Sequence, residues 1–185
     1  GMGKLAYEPY IDIAQEHSMD DLDELAEQCQ KILNTEYSDK LDELYSLGGT
    51  SGGARPKIMT KYRGEEWIIK FPAHVNGKNV GRMEYEYSVC ARKCGITMSR
   101  TKLFPSERCD GYFGIKRFDR EDHQGKVKRI HTATVAALLE LDFEQPSLDY
   151  HSLMKLTKIL TRNNSFDIEN LYRRMCFNVY AHNRD

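Results

Sequence analysis

The spacing of apolar residues predicts helices in the first 47 residues of the chain. Apolar side chains recur there at intervals of three and four residues, which is the pattern of one buried helix face: Leu22, Leu25, Ala26, Cys29, Ile32 and Leu33. Ser18 and Asp21 resemble a capping box at the start of this helix. A second short helix is predicted at about 38–47, because Gly48 and Gly49 would end it.

The pattern changes to short strands and then back to helices in the rest of the chain. Four runs rich in β-branched and aromatic residues predict strands, the first two joined in a hairpin by Arg63-Gly64-Glu65: 58–62, 66–71, 99–104 and 112–118. From residue 131 onward the pattern is helical. Three longer helices are predicted, the first of them ended by Gly95: 79–94, 147–162 and 167–182. We therefore expect an α+β fold with a small antiparallel sheet and one inserted helix, followed by a helical region.

Charge is distributed unevenly along the chain, although the net charge is only −1. Residues 1–47 contain 12 Asp and Glu residues against 3 Lys residues, a net charge of −9. The rest of the chain therefore has 16 acidic against 24 basic residues, a net charge of +8. A basic body suits a ligand that carries phosphate, and an acidic flank can pack against that body or shield it. The alternative is that both parts are ordinary solvated surfaces.

Composition and cysteine usage favour a protein of the cytoplasm. The chain has 185 residues, of which 40% are hydrophobic and 30% charged, enough for a globular core. It contains no apolar run of about 18 residues and no charged-then-apolar leader, so we expect no membrane partner. Its five cysteines are spread along the chain without a partner at metal spacing. This spread favours a reducing compartment over a disulfide framework or a zinc site.

Residues 48–57 read GGTSGGARPK, a glycine-rich segment that ends in Lys57. Glycine lacks the Cβ that would keep a phosphate away from backbone N–H groups, and it tolerates the positive φ that points successive amides into one concavity. The segment matches neither the P-loop nor the dinucleotide-binding pattern. A phosphate cradle and an ordinary turn are therefore both open interpretations of this loop alone.

Lys70 and Glu84 strengthen the phosphate-binding interpretation. Lys70 is flanked by apolar residues at the end of a predicted strand, and Glu84 lies in the predicted helix that follows. A lysine on a strand that pairs with a glutamate on a later helix is the arrangement that positions ATP phosphates in protein kinases. The alternative is a strand-edge lysine that reaches water and an exposed helix carboxylate. The order of glycine loop, lysine strand and glutamate helix favours the pair.

Five segments together carry a resemblance to a known family: GGTSGGARPK, IIKF, MEYEYSVCARKCGI, YFGIKRFDR and AHNRD. They resemble the HipA-like serine/threonine kinases, the toxins of bacterial toxin–antitoxin modules. The resemblance covers roughly 48–185 and implies a protein-kinase-like fold. In this interpretation 1–47 is an acidic helical segment, 48–120 is an N-lobe with the glycine-rich loop, and 121–185 is the incomplete helical beginning of a C-lobe.

The resemblance implies ATP and Mg²⁺ as cofactors and assigns most of the nucleotide contacts. Lys70 would contact the ATP phosphates, and Glu84 would orient Lys70. The backbone of a hinge strand would hold adenine through Lys116, Arg117 and Phe118. The loop from Thr50 to Lys57 would cover the phosphates, and six of its residues are assigned to ATP binding: Thr50, Ser51, Gly52, Gly53, Ala54 and Lys57.

The resemblance also implies a self-inactivating modification in the loop and a catalytic residue at the end of the sequence. Thr50 or Ser51 matches a serine whose autophosphorylation disarms the family's kinases, because its phosphate would repel those of ATP. Asp185 matches the catalytic aspartate that accepts or orients the proton of the substrate hydroxyl.

The family pattern continues as D-x-H-x-K-N, whose Asn holds Mg²⁺ together with a later aspartate, whereas this sequence ends at Asp185. We therefore expect the 185-residue chain alone to be inactive, and we interpret it as the N-terminal part of a kinase. The alternative is a non-catalytic nucleotide-binding or regulatory module, either a pseudokinase or an antitoxin-binding piece.

Partners follow from the same resemblance. Kinases of this family phosphorylate protein hydroxyls, in some cases on an aminoacyl-tRNA synthetase, and they reach DNA indirectly through a helix-turn-helix antitoxin. Direct nucleic-acid binding by the basic body is a further alternative, supported by four arginines near the C-terminal end: Arg162, Arg173, Arg174 and Arg184. The sequence contains no recognised nucleic-acid-binding module, so we favour the kinase interpretation.

Overall fold

The computed structural model describes residues 19–33, 55–73, 77–123, 126–141 and 148–183. The strands in these ranges are β1 (Lys57–Tyr62), β2 (Glu65–Lys70), β3 (Thr101–Phe104), β4 (Tyr112–Lys116), β5 (Arg120–His123) and β6 (Lys126–Arg129). The helices are α1 (Met19–Leu33), α2 (Val80–Lys93), α3 (Val135–Leu138), α4 (Tyr150–Leu160) and α5 (Ser165–Tyr180). The predicted α+β class is confirmed. The helix predicted at 38–47 and Ser18 of the predicted capping box lie outside the described residues.

β1 and β2 form the predicted antiparallel hairpin, in which Ile58 lies opposite Ile69. The turn is at Arg63 and Gly64, whose φ angles are 51° and 75°. Positive φ at both central residues lets a two-residue turn follow the right-handed twist of its strands, and glycine adopts such angles without steric cost. The hairpin is therefore specified locally by its turn and by the β-branched residues on each side.

The hairpin belongs to a four-stranded antiparallel sheet with the order β1-β2-β4-β3. Because β2 lies between β1 and β4, the register places Lys70 opposite both Lys57 and Phe113. Gly114 of β4 allows the Phe104 ring of β3 to lie close to the backbone, since an added Cβ at residue 114 would overlap that ring. The sheet thus brings Lys57 and Lys70 together at one end of the hairpin.

The apolar face of α1 packs into the core of the sheet. Leu22, Leu25, Ala26 and Cys29 are buried in one cluster with strand residues such as Trp67. The predicted buried stripe is confirmed for these four residues, whereas the side chains of the other two, Ile32 and Leu33, lie outside the described part of the chain. Each buried leucine contributes about 1.5–3 kcal/mol to stability relative to an exposed one, so α1 is a structural part of the sheet's core.

β5 and β6 form a second hairpin, which the sequence did not predict. The strand sequences are REDH and KVKR, in which polar residues outnumber apolar ones and no alternation of the two kinds marks a strand. The predicted strand at 112–118 also ends earlier, at Lys116. Strand structure therefore resumes after a short turn and extends to Arg129.

The described residues fall into two units. The first is drawn from Gly1–Glu86 and Ser99–Thr132 and contains both sheets; the second is drawn from Tyr87–Met98 and Ala133–Asp185 and contains α3, α4 and α5. The three-part division at 1–47, 48–120 and 121–185 stays a prediction. Among the described residues, no helix is long and apolar enough to cross a membrane.

Within the second unit, α5 holds the loop that follows α2. Asn170 accepts a hydrogen bond from the Thr97 amide at 2.9 Å, and its own side-chain amide donates to the Thr97 carbonyl at 3.4 Å. Arg174 donates to the same carbonyl at 3.0 Å, and Arg173 donates to the Gly95 carbonyl at 2.9 Å. Gly95 ends α2 as predicted, with a φ of 77°.

Candidate anion-binding site

Lys70 and Glu84 form an ion pair between the sheet and α2. Lys70 is the last residue of β2, and its Nζ donates a hydrogen bond to Glu84 Oε1. The Lys70 Nζ also lies 5.4 Å from the centroid of the Phe113 ring, at a distance where an ammonium group is attracted to the ring face. The pairing predicted from the order of strand and helix is therefore present. Both side chains keep contact with solvent, with exposed fractions of 33% and 25%.

Arg55 contacts the second oxygen of the same carboxylate. Its Nη1 donates to Glu84 Oε2 at 3.3 Å, and 41% of the Arg55 side chain is exposed. Arg55 lies within GGARPK, two residues before β1. Arg55 lies inside the loop from Thr50 to Lys57 that the resemblance assigned to the ATP phosphates, but it was given no role of its own. Its guanidinium connects the end of this loop to α2.

Lys57 adds a third positive charge. It lies opposite Lys70 in the register of β1 and β2. Burial lowers the pKa of Lys57 below its ordinary value, the positive charge of Lys70 lowers it further, and Glu84 opposes this shift. We call Arg55, Lys57, Lys70 and Glu84 the cationic cluster. The cluster therefore contains three cationic side chains and one carboxylate, a composition that suits a negatively charged ligand.

Gly81 places Glu84 against the cluster. A Cβ at residue 81 would overlap the Gly111 carbonyl oxygen and would lie 3.1 Å from the Phe113 amide nitrogen. Glycine therefore allows the first turn of α2 to approach the backbone that leads into β4. Glu84 follows about one helical turn later, on the same side as Gly81. The role of Gly81 was not predictable, because a glycine inside a helical pattern gives no indication of what it contacts.

Three residues of the KRFDR segment, Arg117, Asp119 and Arg120, form a buried ion network with Glu66 of β2. Arg117 donates from Nε and Nη2 to the two carboxylate oxygens of Asp119 at 2.9 and 2.8 Å. Arg120 donates from Nη1 to Asp119 Oδ2 at 2.9 Å, and both arginines lie 3.3 Å from Glu66 Oε2. Burial, followed by the Arg117 charge, lowers the pKa of Arg120. The network fixes the connection between β4 and β5.

Two of the three backbone amides of the predicted hinge strand already donate hydrogen bonds to backbone carbonyls. The Lys116 amide donates to the Arg100 carbonyl and the Arg117 amide to the Glu66 carbonyl, both at 2.9 Å. Phe118 lies in the turn after β4 with 57% of its surface exposed, and among the described residues its amide donates to no other backbone group. Of the three predicted hinge residues, Phe118 therefore has the amide that can meet a ligand.

The Lys116 side chain is held on the sheet surface. Its Nζ donates to Glu65 Oε1 at 2.6 Å, and Arg100 bonds to the same carboxylate. The hydrogen bond from Lys116 lowers the pKa of Glu65, although burial opposes this shift, and the charges of Lys116 and Arg100 lower it further. The Lys116 side chain is therefore engaged with Glu65, and the backbone contact of residue 116 with adenine stays a prediction.

The remaining predicted site residues lie outside the described residues: Thr50, Ser51, Gly52, Gly53, Ala54 and Asp185. Their assigned roles, and the roles of Lys57, Lys70, Glu84, Lys116, Arg117 and Phe118 toward a nucleotide, stay predictions. In the part of the chain that the structure describes, no three His, Cys, Asp or Glu side chains are grouped as a metal ion would require.

Comparison with known proteins identifies the fold and the family. A chain in the solved complex of the Shewanella oneidensis MR-1 toxin–antitoxin proteins HipA and HipB with operator DNA has a similar fold, with a TM-score of 0.59 and 17% sequence identity. The similarity covers 87% of the present chain but 43% of the other, so the sequence spans less than half of that chain's length. No curated protein matches the sequence. The family model of the HipA-like C-terminal domain matches residues 49–185, and the chain therefore belongs to the HipA-like family, as its motifs predicted.

Proposed function

We propose that this chain is part of an ATP-dependent serine/threonine protein kinase of the HipA type, which acts as the toxin of a toxin–antitoxin module. In this proposal the four-stranded sheet and α2 correspond to a kinase N-lobe, and the cationic cluster binds the phosphates of ATP. Membership of the HipA-like family supports the proposal. The observation that carries it is the contact of Lys70 with Glu84, with Arg55 and Lys57 beside the pair.

The positively charged side chains of the cluster suit a role in phosphoryl transfer. Transfer of a phosphoryl group depends on positioning and on cations that face the phosphate oxygens, because little covalent chemistry is left for the protein to do. Glu84 holds Lys70 at the end of β2 without cancelling the charge of the whole cluster. Lys70 can therefore donate hydrogen bonds to phosphate oxygens, with Arg55 and Lys57 supplying the remaining positive charge.

Adenine would lie at the turn after β4. The amides of Lys116 and Arg117 already donate within the sheet, so the Phe118 amide is the donor that this tripeptide offers to an adenine ring nitrogen. The exposed Phe118 side chain adds an apolar surface next to that amide. The buried ion network keeps this turn in place from the inner side, because it anchors both residues that flank Phe118.

Catalysis would require groups that the cationic cluster does not supply. In the proposed kinase Asp185 would orient the substrate hydroxyl, and phosphorylation of Thr50 or Ser51 would block the phosphate site. Mg²⁺, whose ligands are expected beyond residue 185, would supply positive charge toward the phosphates. We expect the 185-residue chain alone to bind nucleotide without transferring phosphate. A non-catalytic regulatory module would bind nucleotide in the same way. Phosphate transfer by the complete gene product distinguishes the two functions, because a kinase transfers phosphate and a regulatory module does not.

We propose protein partners on the basis of the family and of the similar structure. The similar chain comes from a complex of HipA, HipB and operator DNA. For the present protein we propose a helix-turn-helix antitoxin as a direct partner, DNA as an indirect one and the cytoplasm as its location. A protein substrate, of which an aminoacyl-tRNA synthetase is one candidate, follows from the kinase proposal.

Isothermal titration calorimetry with ATP tests the proposed nucleotide site. The wild-type chain is compared with a Lys70→Ala variant and with Lys61→Ala, which removes a half-buried lysine from the same sheet but outside the cluster. We expect Lys70→Ala to weaken ATP binding at least tenfold and Lys61→Ala to change it by less than twofold. Equal losses in the two variants, or no binding by a folded wild-type chain, would contradict the proposal.

A further inference from the structure

The turn that follows α5 forms a Schellman motif, in which two backbone hydrogen bonds close the end of a helix. The Asn183 amide donates to the Asn178 carbonyl at 2.9 Å, and the His182 amide donates to the Val179 carbonyl at 3.2 Å. His182 adopts the left-handed conformation that this motif requires, with a φ of 52°. Because glycine is the usual residue at that position, a histidine there needs support from its surroundings.

The Asn178 side chain adds contacts that the backbone motif does not require. Its Oδ1 accepts a hydrogen bond from the Asn183 side-chain amide at 3.3 Å, and its Nδ2 donates to the Tyr150 hydroxyl at 2.8 Å. Tyr150 is the first residue of α4, so one half-buried side chain joins the turn after α5 to a second helix. The turn is therefore held through side chains as well as through the backbone.

We propose that Asn178 is a positioning residue for Asp185, because it fixes the turn from which residue 185 extends. Asp185 follows Asn183 by two residues, and two residues span at most about 7 Å. A turn that is fixed at Asn183 therefore limits where the carboxylate of residue 185 can lie. This inference rests on the proposed function, in which Asp185 orients the substrate hydroxyl, and extends it to a residue to which the family resemblance gives no role.

A positioning role predicts which kinetic constant should change. A displacement of about 1 Å at a reacting group can cost about 10²-fold in rate. Asn178 and Tyr150 do not belong to the cationic cluster, to which the binding of ATP is assigned. Loss of their contact should therefore lower kcat and leave the KM for ATP nearly unchanged.

Steady-state kinetics of the complete gene product tests this inference, with casein as the added hydroxyl acceptor and ADP formation as the readout. The variants are Asn178→Ala, Asn178→Asp and Tyr150→Phe. The matched control is Asn164→Ala, which removes an asparagine from the other end of α5, where its side chain accepts hydrogen bonds from the Phe166 and Asp167 amides. Thermal unfolding of each variant shows whether it is folded before the assay.

We expect Asn178→Ala to lower kcat at least tenfold and to change the KM for ATP by less than threefold. Asn178→Asp should recover part of this loss, because its carboxylate can still accept hydrogen bonds from the Asn183 amide group and from the Tyr150 hydroxyl. Tyr150→Phe should lower kcat at least threefold, and it carries the test if Asn178→Ala does not fold. Asn164→Ala weakens the same helix at its start and should keep kcat within twofold of the wild type.

The outcomes separate this inference from the proposed function. If kcat is unchanged in folded Asn178→Ala, or falls equally in Asn164→Ala, the positioning role is overturned while the kinase proposal stands. A raised KM for ATP at constant kcat also overturns the positioning role. If the folded wild-type gene product forms no ADP, the proposed function is wrong, and the role of Asn178 is wrong with it.

Discussion

The Tyr112 hydroxyl of β4 donates a hydrogen bond to the Asp23 carboxylate of α1 at 2.7 Å. The same carboxylate accepts hydrogen bonds from the Ser106 hydroxyl at 2.6 Å and from the Glu107 amide at 3.0 Å. A residue of the acidic N-terminal part is thus joined to the sheet and to the loop before β4. The expectation that the acidic part can pack against the basic body is realised at this contact, which helps to define the first unit.

Asp23→Ala should destabilise the chain by about 2 kcal/mol, because it removes three hydrogen bonds and leaves the buried Tyr112 hydroxyl without its acceptor. Urea unfolding monitored by circular dichroism measures this change. Tyr112→Phe removes only one of the three hydrogen bonds and should cost about 1 kcal/mol. If Asp23→Ala costs no more than Tyr112→Phe, the other two hydrogen bonds do not contribute.

The stability contribution of Asp23 should depend on pH. Burial alone would raise the pKa of Asp23, but hydrogen bonds from Ser106, Tyr112 and the Glu107 amide, with the nearby Arg108 charge, lower it overall from its ordinary value of 3.8. A carboxylate with a lowered folded-state pKa stabilises the fold above its unfolded-state pKa, and this stabilisation is lost as the pH falls through the folded-state value.

The difference in free energy of unfolding between wild type and Asp23→Asn should therefore be constant near neutral pH and should shrink below about pH 4, as the wild-type carboxylate takes up a proton. Urea unfolding at a series of pH values from 7 downward provides the measurement. A difference that grows on acidification would mean that Asp23 has a raised pKa.

Gly81→Ala should destabilise the chain by about 1–3 kcal/mol, because the new Cβ would overlap the Gly111 carbonyl oxygen. The direction of this change in stability is informative, because replacing glycine by alanine inside a helix ordinarily stabilises a protein by about 1 kcal/mol. The substitution should also weaken ATP binding, because it moves Glu84 relative to Lys70. Met83→Ala, at a position of α2 that is 48% exposed, is the control and should change stability by less than about 0.5 kcal/mol. A stabilised Gly81→Ala variant would show that α2 does not approach the backbone of residue 111 this closely.

Several features of the fold could be predicted from sequence because their signals are local. The turn residues Arg63 and Gly64 specify the β1–β2 hairpin, and the apolar spacing of Leu22 and Leu25 specifies the buried face of α1. The Lys70–Glu84 pair could be predicted from the order of strand and helix. These signals depend on backbone preference or on periodicity, which the sequence displays directly.

Other features were not predictable because they arise from packing between distant segments. The polar strands β5 and β6 carry no apolar alternation that would reveal them. In the KRFDR segment, Arg117 and Asp119 are charged residues that the fold buries by pairing them. Arg55 lies in a loop, where the direction of a side chain does not follow from the sequence. Its position against Glu84 becomes visible only when β1 and α2 are placed together.

Asp119→Ala should destabilise the chain by about 3–5 kcal/mol, because it removes the buried carboxylate that Arg117 and Arg120 both contact and leaves Glu66 as the remaining acidic group of the network. Guanidinium unfolding would also report how cooperative the remaining structure is. The matched control is Asp110→Ala, since Asp110 is a half-exposed aspartate that lies 3.9 Å from Arg82. We expect the control to change stability by less than about 0.5 kcal/mol. Equal effects of the two substitutions would contradict a structural role for the buried ion network.

The central claim is that the cationic cluster around Glu84 binds the phosphates of a nucleotide, and the most direct test is a calorimetric comparison of AMP, ADP and ATP. The wild-type chain and Lys70→Ala are titrated with each nucleotide under the same salt conditions. We expect the wild-type affinity to rise from AMP to ATP and Lys70→Ala to remove most of this rise. Equal affinities for the three nucleotides in a folded wild-type chain, or a rise that persists without Lys70, would contradict it.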